Sequence, residues 1–274
     1  MPYKSYPSYL LKRANQIIQE EGPASFLKGS LRLATRFLKD VVYGAYFLIY
    51  MKGISSKDNV EELVNLTFSA CRGLVRPLQI QSEILRLAEL LKQSNPQCIV
   101  EIGTHNGGTL FMWTRIASAD SHIISIDLPV GQFGGGYAPW RILFYKSFAL
   151  ENKKLYLIRA DSHDEGTLRK TRQLLREREI DFLFIDGDHT YEGVKKDFEM
   201  YSPLVAENGI IAFHDIVDEG PESECEVSKY WSQLKPKYDH VEFKADGNQR
   251  WGGIGVLFKC SGTETQNNIR RPVR

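Results

Sequence analysis

Four ionisable residues follow two neighbouring apolar runs in the second half of the chain. Asp186 and His189 come after one run, and His214 and Asp215 come after the next. If both runs are parallel strands of one sheet, their carboxyl ends meet at one edge and bring the two carboxylates together. Carboxylate oxygens suit Mg²⁺, and an imidazole can accept a proton from a hydroxyl group. The pattern therefore indicates a site that combines a divalent metal with proton removal.

A glycine-rich segment, residues 101–109, follows an earlier apolar run and opens a helical pattern. Glycine lets the backbone approach a ligand closely, and a helix N-terminus presents unpaired N–H groups to a carboxylate or phosphate. The segment reads E-x-G-x-x-x-G-G and lacks the third glycine of the dinucleotide fingerprint G-x-G-x-x-G. The predicted cofactor-binding residues of this segment are Glu101, Gly103, Thr104, Gly107, Gly108 and Thr109.

Acidic and hydroxyl side chains follow the next two apolar runs. Asp127 ends the second run, where a carboxylate can accept hydrogen bonds from the hydroxyl groups of a ribose. Both NAD and S-adenosylmethionine contain such a ribose. Asp161 and Ser162 follow the third run, where the edge of an adenine ring would lie, and this placement favours S-adenosylmethionine. We predict all three as cofactor-binding residues, although Asp and Ser are also common in turns.

The apolar runs that position these residues alternate with helical patterns. Five of them are buried-strand candidates, and most of their connections are long enough for a crossover helix, which predicts parallel pairing: residues 98–102, 123–126, 155–158, 182–185 and 210–213. Two further runs, 241–244 and 254–258, flank a short segment with Asp246-Gly247 and predict an antiparallel hairpin. The predicted fold is α/β, a Rossmann-like sheet of five parallel strands plus a C-terminal antiparallel hairpin, with helices on both faces.

Three segments resemble one known family. They are the glycine-rich segment 101–109, the segment 184–194, and the tripeptide Phe213-His214-Asp215. Together they resemble the class I methyltransferases grouped with macrolide sugar O-methyltransferases and cephalosporin-hydroxylase-like proteins, and the resemblance runs from about residue 79 to 258. It implies methyl transfer from S-adenosylmethionine to a hydroxyl group of a sugar, a glycan or another polyol-like small molecule.

The resemblance also implies roles for the residues that follow the fourth and fifth strands. Related sugar methyltransferases hold a metal with an aspartate after the fourth strand, here Asp186, and with an acidic pair after the fifth. His214 occupies the first position of that pair and Asp215 the second, so the implied metal ligands are these three residues. Mg²⁺ is the first choice, but an imidazole ligand shifts the preference towards Mn²⁺, Fe²⁺ or Zn²⁺, and Asp188 is an alternative carboxylate. His189 matches the position of the catalytic base, with Asp186 as the second catalytic residue.

The first 57 residues differ in charge from the rest of the chain. They contain nine Lys or Arg against three Asp or Glu, a net charge of +6, whereas the whole chain has +1. From residue 25 to 51, basic residues alternate with Phe and Leu at helical spacing, and the apolar run 41–51 is too short to span a bilayer. Two interpretations stay open: a helix packed on the main domain or on a second subunit, and an interfacial helix on a membrane. The acidic remainder argues against a nucleic-acid partner.

The sequence predicts three regions: a basic helical extension at 1–75, a methyltransferase domain at 76–260, and a disordered polar tail at 261–274. The four cysteines show no metal-binding or disulfide spacing, and the N-terminus shows no secretory pattern. We therefore expect a cytoplasmic protein, with peripheral membrane contact through the N-terminal segment under the second interpretation above.

Three loops are expected to form the acceptor pocket: 134–137, 218–226 and 251–253. Tyr137 and Trp251 suit either stacking on a sugar or packing as anchors. Four other histidines stand alone in sequence and are expected in loops or on the surface: His105, His122, His163 and His240.

Two other functions stay open. A nicotinamide-dependent oxidoreductase would share the sheet and the ribose-binding acid, but the glycine spacing disfavours it. A membrane-surface binding module would use the basic N-terminal segment and keep the methyltransferase fold as a degenerate scaffold. The intact set of Asp186, His189 and Asp215 argues against that module.

Overall fold

A computed structural model describes residues 14–16, 18–51, 59–129, 136–150 and 152–259. Their seven strands form one sheet: β1 (Cys98–Ile102), β2 (His122–Asp127), β3 (Lys154–Arg159), β4 (Ile180–Ile185), β5 (Val205–His214), β6 (Asp239–Phe243) and β7 (Ile254–Phe258). The order across the sheet is β3-β2-β1-β4-β5-β7-β6.

Strands β1 to β5 are mutually parallel, whereas β7 runs antiparallel to both β5 and β6. This arrangement confirms the predicted fold class, including the C-terminal hairpin. The chain direction across the sheet reverses between β1 and β4, and in open α/β sheets a ligand crevice lies outside the carboxyl ends of the strands at such a point.

Eight α-helices lie in the described part of residues 23–259: α1 (Pro23–Met51), α2 (Val60–Ser69), α3 (Gln81–Ser94), α4 (Gly108–Ile116), α5 (Arg141–Lys146), α6 (Glu165–Leu175), α7 (Tyr191–Tyr201) and α8 (Val227–Leu234). Helices α1 to α5 supply one apolar core, and α6 to α8 supply the other. Neighbouring strand residues point to opposite cores, as Ile99 and Val100 do on β1. Strands β1, β2 and β4 are therefore buried on both faces and contain continuous apolar runs, whereas the edge strand β3 has only Ile158 buried.

Helix α1 docks on the first core through its C-terminal half. Phe47 is fully buried. Its ring lies 5.1 to 6.0 Å from three other phenylalanine rings, those of Phe111, Phe144 and Phe148. Asp40 forms a buried salt bridge with Arg141 at 2.7 Å. Within the described ranges, no helix is both long and apolar enough to cross a bilayer.

One expectation about the isolated histidines is wrong. His122 lies on β2 and is buried, because its strand is covered on both faces of the sheet. Residues 130–135, which include part of one predicted acceptor loop, and the predicted tail at 261–274 lie outside the described residues.

Candidate active site

The glycine-rich segment forms the turn between β1 and α4 at the reversal point of the sheet. Gly103 has φ +97° and Gly107 has φ +80°, both in the left-handed region that favours glycine. A Cβ on Gly103 would overlap the backbone carbonyl of Asp186, and a Cβ on Gly108 would overlap the carbonyl of Val75. These glycines therefore allow β1, β4 and the segment before α3 to meet at close range.

Asp127 holds this loop in place. Its Oδ2 accepts hydrogen bonds from the backbone N–H groups of Thr104 and His105 at 3.0 and 2.8 Å, and its Oδ1 accepts one from Gly136 at 3.0 Å. Burial raises the pKa of Asp127 to about 6, although these backbone donors act in the opposite direction. The carboxylate also lines the cavity described next.

A cavity of about 410 Å³ opens at this edge of the sheet, within the range of roughly 300–1,000 Å³ that small-molecule sites occupy. The glycine loop lines it with Gly103, Thr104, His105, Asn106, Gly108 and Thr109. The ends of β4 and β5 and the segments beside them line it with Asp186, Gly187, His189, His214, Asp215 and Glu219. The loop and the ionisable residues predicted from the sequence thus face one space.

Two carboxylates and two imidazoles form a compact cluster in that cavity. Nδ1 of His214 lies 3.1 Å from Oδ1 of Asp186 and 3.2 Å from Oδ2 of Asp215. Nδ1 of His189 lies 3.1 Å from the same Asp215 oxygen, and its Nε2 lies 3.7 Å from Asp186. Asp215 has φ +60°, a left-handed conformation that non-glycine residues adopt uncommonly and that recurs at functional sites.

The carboxylates hold protons on both imidazoles. Burial works against a charged ring, but the hydrogen bonds with Asp215 and Cys225 and the nearby carboxylates outweigh it and raise the pKa of His189 to about 11. The same balance raises the pKa of His214 to about 10. Burial would raise the pKa of Asp215, yet His214 and His189 hold it well below its usual range. Both imidazoles thus share the carboxylate of Asp215 as a hydrogen-bonding partner.

The donor set of this cluster fits a divalent cation. Asp186, His214 and Asp215 each offer one ligand atom, and these atoms lie within 4.8 Å of one another. Nε2 of His214 is buried and has no hydrogen-bond partner in the described part of the chain. Two carboxylates balance a 2+ charge, and the mixed oxygen and nitrogen donors suit Mn²⁺, Fe²⁺ or Zn²⁺ as well as Mg²⁺.

Several residues predicted from the sequence lie away from the cavity surface. Glu101 is fully buried behind the loop, where its carboxyl group accepts hydrogen bonds from Trp113 and Ser125. Asp161 accepts a hydrogen bond from the backbone of His163, and neither Asp161 nor Ser162 lines the cavity.

Asp188 and Tyr137 contact other residues of the protein and do not line the cavity. Asp188 accepts hydrogen bonds from the backbone and hydroxyl of Thr190 at the start of α7. Tyr137 is buried against Tyr145 with ring centroids 4.9 Å apart and is a packing anchor. Trp251, by contrast, lines the cavity.

Sequence reasoning missed Gln79. Its Nε2 donates a 2.5 Å hydrogen bond to Oδ2 of Asp186, and the side chain is buried at the cavity. It therefore orients the carboxylate at the centre of the cluster. Nothing in the local pattern before α3 marks it, because its partner is 107 residues away in sequence.

Part of the chain matches a known protein family, and the match agrees with the fold and the site described above. Residues 100–216, which include β1, the glycine loop, the end of β4 and the end of β5, match the family described as "Methyltransferase domain". Residues 100–216 therefore form a methyltransferase domain. The match confirms the family predicted from the sequence, and together with the antiparallel hairpin it favours a methyltransferase over a nicotinamide-dependent oxidoreductase.

Two curated relatives of this methyltransferase have no described function. The uncharacterized protein y4gI of Sinorhizobium fredii is 27% identical over 172 residues, which cover 62% of this chain and 18% of that protein. The uncharacterized protein R132 of Acanthamoeba polyphaga mimivirus is 31% identical over 151 residues, which cover 54% of this chain and 66% of that protein. The chain spans less than a fifth of the first relative's length.

Solved O-methyltransferase structures resemble the methyltransferase at low identity. A proposed caffeoyl-CoA O-methyltransferase from Staphylococcus aureus is 18% identical with a TM-score of 0.51, over 80% of this chain and 99% of that chain. An O-methyltransferase from Bacillus cereus in complex with SAH is also 18% identical, with a TM-score of 0.48 and the same coverage. The first similarity supports the fold.

Proposed function

We propose that this methyltransferase transfers a methyl group from S-adenosylmethionine to a hydroxyl group of a sugar, a glycan or a polyol-like small molecule, assisted by a divalent cation. One observation carries the proposal: the glycine loop and the cluster of Asp186, His189, His214 and Asp215 line the same cavity. A nucleoside-binding loop and a site for proton removal are the two parts that hydroxyl methylation requires.

The loop side of the cavity supplies the cofactor contacts. Gly108 begins α4, so the first turn of that helix presents backbone N–H groups to the carboxylate of the methionyl portion. Asp127 supplies carboxylate oxygens for the ribose hydroxyl groups. The bound cofactor supplies a methyl group on a positively charged sulfur, which an oxygen nucleophile displaces in line.

The cluster side orients the acceptor and removes its proton. Asp186, His214 and Asp215 would hold the cation, which supplies positive charge that favours loss of the hydroxyl proton. A cation held there would neutralise part of the negative charge of Asp186 and Asp215, which would lower the pKa of His189 and leave its imidazole free to act as a neutral base. It accepts the hydroxyl proton as the oxygen–carbon bond forms and the carbon–sulfur bond breaks.

The outer wall of the cavity suits a sugar or polyol. Trp251 is half-exposed there and can stack on the apolar face of a sugar ring. Glu219, from the acidic segment after β5, can accept hydrogen bonds from hydroxyl groups. These two side chains support the acceptor class and leave the position of methylation open.

A direct assay tests the proposal. The purified protein is incubated with S-adenosylmethionine labelled in the methyl group and with a panel of glycans, monosaccharides and small alcohols, before and after chelation. We expect labelled methyl ether products that disappear with the chelator and return with Mg²⁺ or Mn²⁺. Binding of S-adenosylhomocysteine without turnover of any hydroxyl acceptor would reject the acceptor class, and tight binding of NAD alone would reject the activity.

His189 is tested with a matched histidine. We expect His189→Ala to lower kcat by about 10²–10⁴-fold with little change in cofactor affinity, because the imidazole is needed only as the proton leaves. His240→Ala, which changes an exposed histidine on β6, should leave kcat unchanged. Near wild-type turnover in His189→Ala would show that His189 is not the base and would assign that role to His214.

A further inference from the structure

Helix α1 presents a long apolar stripe to solvent. Five of its side chains are 57% to 73% exposed: Leu27, Leu31, Leu38, Val42 and Ile49. They are separated by four or seven residues, so at 3.6 residues per turn they fall within an arc of about 60°. Soluble monomers rarely expose a continuous apolar surface of this kind, and where one occurs it marks a binding surface.

The opposite side of α1 fixes the direction in which this stripe faces. Asp40, Gly44 and Phe47 lie on that side and contact the methyltransferase domain through Arg141, the ring of Phe144 and the ring of Phe111. A buried salt bridge and a fully buried phenylalanine hold the helix in one orientation. The apolar stripe therefore points away from the domain along the whole helix.

A row of basic residues runs beside the stripe. Lys28, Arg32, Arg36 and Lys39 are all exposed, and their spacing of three or four residues places them on one flank of the helix. The one acidic residue of α1, Asp40, is engaged by Arg141 on the domain side. The exposed surface of α1 thus combines an apolar stripe with a positive flank.

We propose that this surface of α1 binds the interface of an anionic lipid membrane and holds the methyltransferase domain against it. An apolar stripe enters the boundary between headgroups and acyl chains, while lysine and arginine side chains contact anionic headgroups. The helix lies in the plane of the membrane, since it is not apolar enough to cross it. This proposal is independent of the methyl transfer chemistry.

Charge favours a membrane over a second copy of this chain as the occupant. If two α1 helices packed stripe against stripe, their basic flanks would be brought together without acidic residues on the exposed surface of the helix to pair with them. Like charges at such a contact are destabilising. Anionic headgroups instead complement the positive flank.

Vesicle sedimentation tests the proposal with the full chain. Sucrose-loaded vesicles of phosphatidylcholine alone are compared with vesicles that contain a quarter phosphatidylserine, in low and high salt. We expect sedimentation with the anionic vesicles, weaker binding in high salt because screening shortens the range of the charges, and little binding to neutral vesicles. Absence of the protein from the anionic pellet, or equal binding to both vesicles, would overturn the proposal.

Two variants separate the apolar and the charged contributions. Leu31→Asp with Leu38→Asp should abolish sedimentation. Lys28→Gln with Arg32→Gln should weaken partitioning about 25-fold, since each basic residue contributes about fivefold near an anionic surface. The matched control is Lys170→Gln with Arg172→Gln, which removes the same charge from α6 on the other face of the sheet and should bind normally.

Two further measurements keep the result decisive. Circular dichroism melting shows that each variant is folded, and the exposed Lys28 and Arg32 can be replaced without disturbing the core. Sedimentation velocity reports the oligomeric state. A wild-type dimer that becomes a monomer in Leu31→Asp with Leu38→Asp, together with equal vesicle binding by all variants, would assign the stripe to a second copy and overturn the membrane proposal.

Discussion

Asp127 contacts both the loop and the cavity. Three backbone N–H groups donate to its two oxygens, and the same carboxylate lines the space where a cofactor ribose would bind. An unpaired carboxyl group at this depth would be costly, so the backbone donors and the ligand stabilise one ionised state. Replacing this residue therefore affects loop order and ligand contact together.

We expect Asp127→Asn to weaken S-adenosylmethionine binding about 10- to 100-fold, the value of a charged hydrogen bond of about 1.5–3 kcal/mol. The amide has one acceptor oxygen in place of two, so its NH₂ group would face the N–H of Gly136 or of Thr104 and His105. Isothermal titration calorimetry measures the affinity. The wild-type affinity should also fall as the pH drops through about 6, where Asp127 gains a proton, and the variant should lose that dependence.

Asp161→Asn is the matched control for this measurement. Asp161 also follows a strand of the sheet but lies away from the cavity surface, so cofactor affinity should stay within about twofold of wild type. A large loss of affinity in Asp161→Asn would place it beside the adenine ring, as the sequence predicted. Unchanged affinity in Asp127→Asn would remove Asp127 from the site.

Glu101 supports the loop from inside the protein. Burial raises the pKa of its carboxyl group to about 8, more than the hydrogen bonds from Thr109, Ser125 and Trp113 lower it. The folded protein thus keeps a proton on Glu101 at neutral pH, whereas the unfolded chain releases it near pH 4.5. Because the folded state binds more protons between these values, this group makes stability fall as pH rises from about 5 to about 8.

Glu101→Gln should remove that pH dependence. Glutamine has the same shape and can accept from Trp113 while it donates to Ser125, so we expect a variant that becomes more stable than wild type as the pH approaches 8. Urea denaturation at pH 5, 6.5 and 8 measures the difference, with the exposed Glu89→Gln as control. Parallel stability curves for wild type and Glu101→Gln would contradict the buried proton. Cofactor affinity should be unchanged.

Helix α1 is connected to the cofactor loop through α5. Arg141 donates to both oxygens of Asp40 at 2.8 and 2.7 Å and to the hydroxyl of Tyr145 at 3.1 Å. The Tyr145 hydroxyl donates in turn to the carbonyl of His105 at 2.8 Å. None of the first three residues lines the cavity. These hydrogen bonds can therefore affect cofactor binding only by changing the position of the loop.

We expect Arg141→Gln to cost about 3–5 kcal/mol of folding stability, because it leaves the Asp40 carboxylate buried without its partner. The double variant Asp40→Asn with Arg141→Gln should cost clearly less than the sum of the two single variants. Urea denaturation of the four proteins gives this coupling. Additive effects would show that the buried pair contributes nothing as a pair.

The single variant Arg141→Gln also tests whether the contact between α1 and α5 affects the cofactor loop. Arg141→Gln should also lower S-adenosylmethionine affinity, measured by calorimetry at a temperature where the variant is folded. Arg169→Gln on α6 changes an exposed arginine far from this loop and should have no effect. If both variants bind the cofactor as wild type does, α1 and the loop are independent.

The whole chain folds around one sheet with an apolar core on each face, and α1 is part of the first core. Phe47 contributes to the same cluster as residues of α2, α3, α4 and α5. The N-terminal region predicted as an extension is therefore attached through buried side chains, while the other side of α1 stays exposed.

Phe47→Ala should destabilise the protein by about 3–5 kcal/mol, because it leaves a cavity among three phenylalanine rings. Ile49→Ala is the matched control: it removes apolar volume two residues away from a side chain that is 73% exposed. We expect a change within about 0.5 kcal/mol for it. Equal effects in urea denaturation would show that α1 is not packed on the core in solution.

The sequence predicted the order of the strands along the chain and the position of the glycine loop. Each of these features is encoded by a few consecutive residues. An apolar run of four or five residues marks a strand, and strand, glycine turn and helix N-terminus follow one another directly around the segment 101–109. The positions of Asp186 and Asp215 at the carboxyl ends of β4 and β5 followed for the same reason. Parallel pairing then placed both at one edge.

Tertiary structure alone decided which of these side chains share the cavity. Gln79 contacts Asp186 across 107 positions of sequence, and no local pattern encodes a contact between residues so far apart. Glu101 and Gly103 belong to the same sequence motif, yet Glu101 lies within β1 with its side chain buried in the core, whereas Gly103 lies in the loop after the strand and lines the cavity. Likewise, the sequence marked α1 as basic and apolar, but only the docking of Asp40 and Phe47 decided which side of it faces solvent.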